Sequence, residues 1–220
     1  MSLFPEGRRS LTAYAYQLGP AFAYQPAHRY IAADIDVSEG VWLDIGCGPG
    51  WLAIFAGAGK PELDVIGIDT SKTMIGIAEN NKAGRLNITF REMSGADIVY
   101  PAHTFDVVTA VQTAHHWQDP AAILTEAYRV MKPGGKLYIY EADPDAQVPA
   151  DWIRRRGVWP TDGVLRRRWK KWGMDQARWN GLKAAVLASP FGQAASADPD
   201  ENISDERHGF YRRMVCTRPA

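Results

Sequence analysis

Short apolar runs and amphipathic stretches alternate along much of this chain. VWLDI (41–45), LDVIGID (63–69), NITFRE (87–92), FDVVTAV (105–111) and KLYIYE (136–141) are short, rich in β-branched and aromatic residues, and read as strands. Between them, WLAIFAGAG (51–59) reads as a small-residue helix, and SKTMIGIAENNKA (71–83) as a helix with Met74, Ile75 and Ala78 on one face. The best-bounded helix opens with Asp119 as a cap and Pro120 in its first turn. Ile123, Leu124, Ala127, Val130 and Met131 keep its helical period, and KPGG (132–135) ends it, because proline cannot continue a helix and glycine tolerates positive φ. Upstream, an arm with Tyr14, Tyr16, Tyr24 and Tyr30 leads into a helix near 26–35. Strands alternating with such helices imply right-handed βαβ crossovers and a largely parallel sheet. From 142 to 190 the pattern is mostly helical. GFYRRMVCTR (209–218) reads as a last strand, paired with one near 191–198 or 203 and placed at an edge or antiparallel.

Composition narrows the class. A chain of 220 residues accommodates one sizeable α/β domain with small additions, and 46% hydrophobic with 23% charged residues marks a soluble globular protein. A formal net charge of zero gives no whole-chain signal for nucleic acid or membrane. Cys47 and Cys216 are too far apart for a disulfide framework or zinc-ligand spacing, so a reducing cytoplasm is the default. The first twenty residues hold no apolar signal region, and no run approaches the ~18 apolar residues of a membrane span.

The glycine-rich stretch VWLDIGCGPGW (41–51) carries the candidate chemistry. Its G-x-G-x-G spacing is shorter than the G-x-G-x-x-G that cradles a dinucleotide pyrophosphate. Ligands of open α/β sheets bind beyond the carboxyl ends of the strands, and three features fall there. Gly46, Gly48 and Gly50 follow strand one, Asp69 ends strand two, and QTAHHW (112–117) follows strand four. Asp69 is placed either to accept the two hydroxyls of a ribose or to cap the helix beginning near Ser71.

VWLDIGCGPG resembles the first motif of class I S-adenosylmethionine (SAM)-dependent methyltransferases, and the resemblance continues through VIGIDTSKTMIGIAE, FDVV and HHWQDPAAILTEAYRVMKPGGKLYIYE. It covers 41–141 and is similar to the subgroup that includes ubiquinone and menaquinone biosynthesis methyltransferases. It implies an α/β fold with a doubly wound, seven-stranded, mostly parallel sheet, an antiparallel last strand, and helices on both faces. SAM is the implied cofactor, its amino-acid tail lying on the loop of Gly46, Cys47, Gly48 and Gly50, which needs backbone without Cβ atoms. Asp44 would meet the ammonium group or brace the loop, and the following helix N-terminus would favour the tail's carboxylate. Asp69 would take the ribose, and Thr70 and Met74 would flank the adenine, although a methionine alone is more often core than ligand contact. Where the family carries an adenine-binding Asp, this chain has Ser94 and Gly95, with Asp97 three residues later. Gln112 and Trp117 would border the cofactor. His116 or His115 would act as a general base for a hydroxyl or amine, or one would orient the loop while the other packs on a helix. No metal site is expected.

Charge is unevenly spread. Asp151 to Lys183 holds ten basic and three acidic residues, a surplus of seven, and five of the eight tryptophans. Leu165, Trp169, Trp172, Trp179, Leu182 and Val186 fall on one helical stripe, which reads as a packing face with the charges on the solvated side. The sharper reading is a substrate cover, in which tryptophans wall an acceptor pocket and arginines pair with an anion. Four segments result: an arm and lid helix (1–40), a SAM-binding core (41–141), an Arg/Trp-rich cover (142–190) and C-terminal strands (191–220). Tyr14, Tyr16 and Trp152 are the candidate substrate contacts. The expected activity is methyl transfer from SAM to an anionic or aromatic small molecule, by a cytoplasmic monomer or homodimer with no nucleic-acid partner. A nicotinamide-dependent oxidoreductase and a non-catalytic or RNA-associated methyltransferase-fold protein are the alternatives.

Overall fold

A computed structural model describes residues 22–146, 173–194, 203–208 and 211–220. Its elements are α1 (Phe22–Ile35), β1 (Gly40–Ile45), α2 (Trp51–Gly57), β2 (Leu63–Asp69), α3 (Lys72–Asn81), β3 (Ile88–Glu92), β4 (Phe105–Val111), α4 (Pro120–Val130), β5 (Met131–Ala142), α5 (Gln176–Ala188), α6 (Pro190–Gln193), β6 (Ile203–His208) and β7 (Tyr211–Thr217). A single 3₁₀ turn, Ala114–His116, follows β4. The seven strands form one sheet in the order β3-β2-β1-β4-β5-β7-β6. The fold is the expected α/β arrangement, with β7 antiparallel to both β5 and β6.

The chain divides into two compact units, Met1–Ser94 and Gly95–Ala220. In the first, β1 pairs parallel with β2 and β2 with β3. Their inward residues make a core that includes the fully buried Trp42, Leu43, Leu63 and Ile68, and α2 contributes Leu52, Ala53 and Ile54 to the buried set. Asn87 fastens this unit from below: its amide donates to the carbonyls of Gly57, Lys60 and Leu63, each at 3.0 Å.

In the second unit β4 pairs parallel with β5. Asp119 caps α4, accepting the amide of Ala122 at 3.0 Å. The helix ends at Val130, so Met131 and KPGG lie in β5 instead of closing the helix: Met131 is paired with Phe105. The carbonyls at the helix end are taken by Arg218, whose Nη1 donates to those of Tyr128, Arg129 and Met131 at 2.6–3.3 Å. That long-range cap replaces the local proline–glycine stop.

Two further expectations need correction. The buried face of α3 is Ile77 and Ala78, with Met74 and Ile75 only half-buried. Residues 190–193 are helical, because Pro190 starts a turn capped by Ser189, whose hydroxyl accepts the amide of Phe191; of the two positions expected for the partner of β7, the one at 203 holds, as β6. Of the proposed apolar stripe, Trp179, Leu182 and Val186 are buried on α5; Leu165, Trp169 and Trp172 lie outside the described residues, as do Tyr14, Tyr16 and Trp152.

Candidate active site

The glycine loop is held open by three left-handed residues: Gly46, Gly48 and Gly50 have φ of 71°, 51° and 82°. They serve different ends. A methyl built on Gly50 would lie 2.5 Å from the Phe90 ring and 3.0 Å from Ala78, so this glycine is demanded by packing. A methyl on Gly48 would meet nothing within 4 Å. Its bareness leaves open space above the backbone, which is what a ligand lying on the loop requires.

Asp69, at the end of β2, joins the loop to the next helix. Its Oδ2 accepts the amide of Gly48 at 2.9 Å, and its Oδ1 accepts the amide of Ser71 at 2.8 Å. The helix cap is Ser71 itself, whose hydroxyl accepts the amide of Met74. A carboxylate has about four lone-pair positions, so Asp69 keeps acceptor capacity while both oxygens are fixed in place. Asp44 is buried in β1. Burial first, and then the negative fields of Asp44 and Asp69, push the Cys47 thiol well above its ordinary range. The loop therefore sits in a negative field that suits a cation, and Cys47 is a protonated packing residue there. Trp51, the residue after Gly50, has a buried indole N–H with no hydrogen-bond partner, an orphaned donor that the sequence pattern gave no reason to single out. Thr70 is exposed, and Met74 projects from the unburied part of α3. Open backbone, two carboxylates and an unmatched donor together fit a zwitterionic, ribose-bearing ligand such as SAM.

Ser94 is exposed at the end of the first unit. In the second, Gly95 is buried and Asp97 exposed, where Asp97 faces the field of Arg129. The segment beyond Asp97 is tied to α4: Glu126 accepts the amide of Ile98, and Arg129 donates to the carbonyls of Ile98 and Tyr100 at 2.6 and 2.9 Å.

The loop after β4 is stitched onto the end of β5. The amide of Gln112 donates to the Tyr140 carbonyl at 2.8 Å, and the amide of His115 to Glu141 Oε1 at 3.1 Å. Glu141 Oε2 also meets His115 Nδ1 at 2.9 Å. Glu141 is fully buried, and the His115 side chain is 10% exposed. A carboxylate only accepts, so His115 Nδ1 is the donor to Glu141 Oε2. His116 is exposed and lies against the His115 ring at 3.9 Å between centroids. Sequence reasoning favoured neither histidine; the structure distinguishes them by the Glu141 partner, whose signal was a carboxylate at a strand's end. Gln112 adopts φ 52°, and its Oε1 is buried without a hydrogen-bond partner. Trp117 is half-buried, its amide bonded to Ala114. From α5, the Arg178 guanidinium donates to the His115 carbonyl at 3.0 Å.

Residues 43–139 match the model of a methyltransferase domain family. Over this stretch the chain is similar to methyltransferase domains. The domain is 38% identical over 109 residues to an uncharacterized methyltransferase of Schizosaccharomyces pombe, covering 46% of this chain and 39% of that protein. It is 37% identical over 120 residues to phosphoethanolamine N-methyltransferase 3 of Arabidopsis thaliana, covering 52% of this chain and 24% of the other. A ubiquinone biosynthesis O-methyltransferase of Coxiella burnetii is 30% identical over 127 residues, with 54% and 53% covered. The chain thus spans about half or less of the length of these curated relatives. The fold of the methyltransferase domain and its C-terminal strands matches a crystal structure of a proposed SAM-dependent methyltransferase from Methanococcus maripaludis. That match has a TM-score of 0.75 at 19% identity and covers 100% of this chain and 98% of the other.

Proposed function

We propose that the chain transfers a methyl group from SAM to a small-molecule acceptor. The observation that carries this reading is the open space over Gly48, bounded by a loop whose amide is bonded to Asp69. On this reading the tail of SAM lies along Gly46, Cys47 and Gly48, with its ammonium in the field of Asp44 and its carboxylate served by the Trp51 indole. Asp69 takes the ribose. Ser94 is the better candidate than Asp97 for the adenine edge, because Ile98 and Tyr100 are fastened to α4 and Asp97 faces Arg129.

Bound on this loop, SAM would supply a methyl carbon made electrophilic by its sulfonium. The protein's own part is to position the acceptor, exclude water and receive a proton. His115 Nε2 is the base, with Glu141 fixing the tautomer and balancing the imidazolium that forms. Cys47 and Cys216 are both free thiols. Among the described residues, no helix is long and apolar enough to cross a membrane. The test is transfer of labelled methyl from SAM to candidate acceptors, together with binding of S-adenosylhomocysteine. Binding of a nicotinamide cofactor in its place would refute the reading.

A further inference from the structure

The turn Ala114–His116 is too short to hold itself in place. It is a single 3₁₀ turn, a geometry whose hydrogen bonds are poor, and Thr113 gives it no side-chain cap. Its own bonds run from the His116 amide to the Thr113 carbonyl at 2.9 Å and from the Trp117 amide to the Ala114 carbonyl at 3.1 Å. Just before it, Gln112 stands at φ 52°, a strained conformation for a residue other than glycine, so an unanchored loop would relax off this path. The anchors come from other elements and converge on His115. Glu141, at the end of β5, takes its amide and its Nδ1. The His115 carbonyl, which the turn does not use, accepts from Arg178 Nη2 at 3.0 Å.

Arg178 stands on the first turn of α5, and that turn is seated on the sheet independently of the loop. Asp175 caps it by accepting the Arg178 amide at 2.9 Å. The Met174 amide donates to the Ala142 carbonyl at the end of β5, also at 2.9 Å. Gln176 Oε1 accepts Arg212 Nη1 of β7 at 2.6 Å, and Trp179 Nε1 donates to Asp205 of β6 at 2.8 Å. The backbone beneath Arg178 is thus fixed before its side chain reaches the loop. Its planar guanidinium also donates to the Gly173 carbonyl at 3.4 Å, a fork across two segments that the point charge of a lysine does not reproduce. The contact is exposed, so water would satisfy the His115 carbonyl if Arg178 were lost. Removing the guanidinium therefore costs the fold little and costs the turn its outer anchor.

We infer that Arg178 is a positioning residue for methyl transfer. It holds the His115 carbonyl from α5 while Glu141 holds the amide and ring from β5, and the two together set where the His115 ring stands. This rests on the methyl-transfer reading, in which His115 acts on the acceptor. The site is thereby coupled to the seating of α5 and, through Gln176 and Trp179, to β7 and β6.

The test compares wild type, Arg178→Ala and Arg178→Lys as isotope-labelled full chains by nuclear magnetic resonance. Arg178→Ala should speed hydrogen exchange of the His115 amide at least about tenfold and move the His115 ring nitrogen signals. Exchange of the Ala122 amide, which Asp119 holds on α4, and the melting temperature should stay as in wild type. Arg178→Lys should fall between the two. With an acceptor that wild type methylates, Arg178→Ala should lower kcat about tenfold at an unchanged KM for SAM, and Arg178→Lys should restore part of it. Unchanged His115 exchange and ring signals in Arg178→Ala would overturn the inference. So would a lowered melting temperature with exchange rising equally at Ala122, which would make Arg178 a stabilising contact only. S-adenosylhomocysteine should bind all three chains alike. Absent binding to wild type would sink the cofactor reading, and the exchange and ring signals would still decide the role of Arg178.

Discussion

Gly48 and Gly50 sit two residues apart in one loop, and alanine at each should fail differently. At Gly50 the added methyl overlaps Phe90 at 2.5 Å and takes a φ of 82°, so Gly50→Ala should lose on the order of 3 kcal/mol of stability in denaturant unfolding. Gly48→Ala carries only the conformational penalty, about 1–2 kcal/mol, and should still fold. Its S-adenosylhomocysteine affinity should nonetheless fall at least about tenfold, because the methyl enters the ligand's space. Equal loss of affinity without the predicted contrast in stability would show that the loop is merely tight throughout. Glu141→Gln is the corresponding test of the dyad. An amide at that position can donate to Nδ1 and permit the other tautomer, so methyl transfer should drop by about 10²-fold or more while S-adenosylhomocysteine affinity stays unchanged. At this scale the left-handed glycines and the place of Asp69 at a strand end were legible, since both follow from residue type and spacing. The choice between His115 and His116 was not, because it depends on a carboxylate twenty-six residues away.

Among the elements, α4 shows how a helix can be read correctly and its end misplaced. Asp119, Pro120 and the periodic Leu124, Ala127 and Val130 behave as their local chemistry dictates. Its C-terminus is completed by Arg218, ninety residues beyond Tyr128, with the guanidinium also 4.5 Å above the Tyr128 ring. No sequence window spans that distance. Arg218→Ala should leave several terminal carbonyls unmatched and lower stability by about 2 kcal/mol, measured as a shift in urea midpoint at unchanged slope. An effect below about 0.5 kcal/mol would mean that water replaces the cap. Helix α5 has a comparable tie: Asp175 caps it, and Arg178 in its first turn donates to the His115 carbonyl. Its basic residues thus do more than face solvent, which the charge pattern alone could not reveal.

For the whole molecule, the order of strands and helices was legible because each βα unit buries its apolar run locally. The pairing of β7 between β5 and β6 required only an antiparallel last strand, and its partner lies at the second of the two expected positions, from 203, while 190–193 is helical. Buried groups shape the pH range of stability, His28 on the acid side and Cys216 on the alkaline side. Burial lowers His28 to about 4 from 6.5, so the native state holds it neutral while the unfolded chain binds a proton. Stability should be intact above pH 6.5 and decline by about 3 kcal/mol as pH falls towards 4, and His28→Phe should flatten that flank in melting curves. Burial raises Cys216 to about 12 from 9.0, so stability present below pH 9 should be lost as pH rises towards 12. The most direct test of the cofactor assignment is calorimetric titration of S-adenosylhomocysteine into wild type and Asp69→Ala, with NADH as the control ligand. The expected result is micromolar S-adenosylhomocysteine binding, no NADH binding, and a loss of at least about tenfold in a folded Asp69→Ala. NADH binding without S-adenosylhomocysteine binding, or an unchanged dissociation constant in Asp69→Ala, would contradict it.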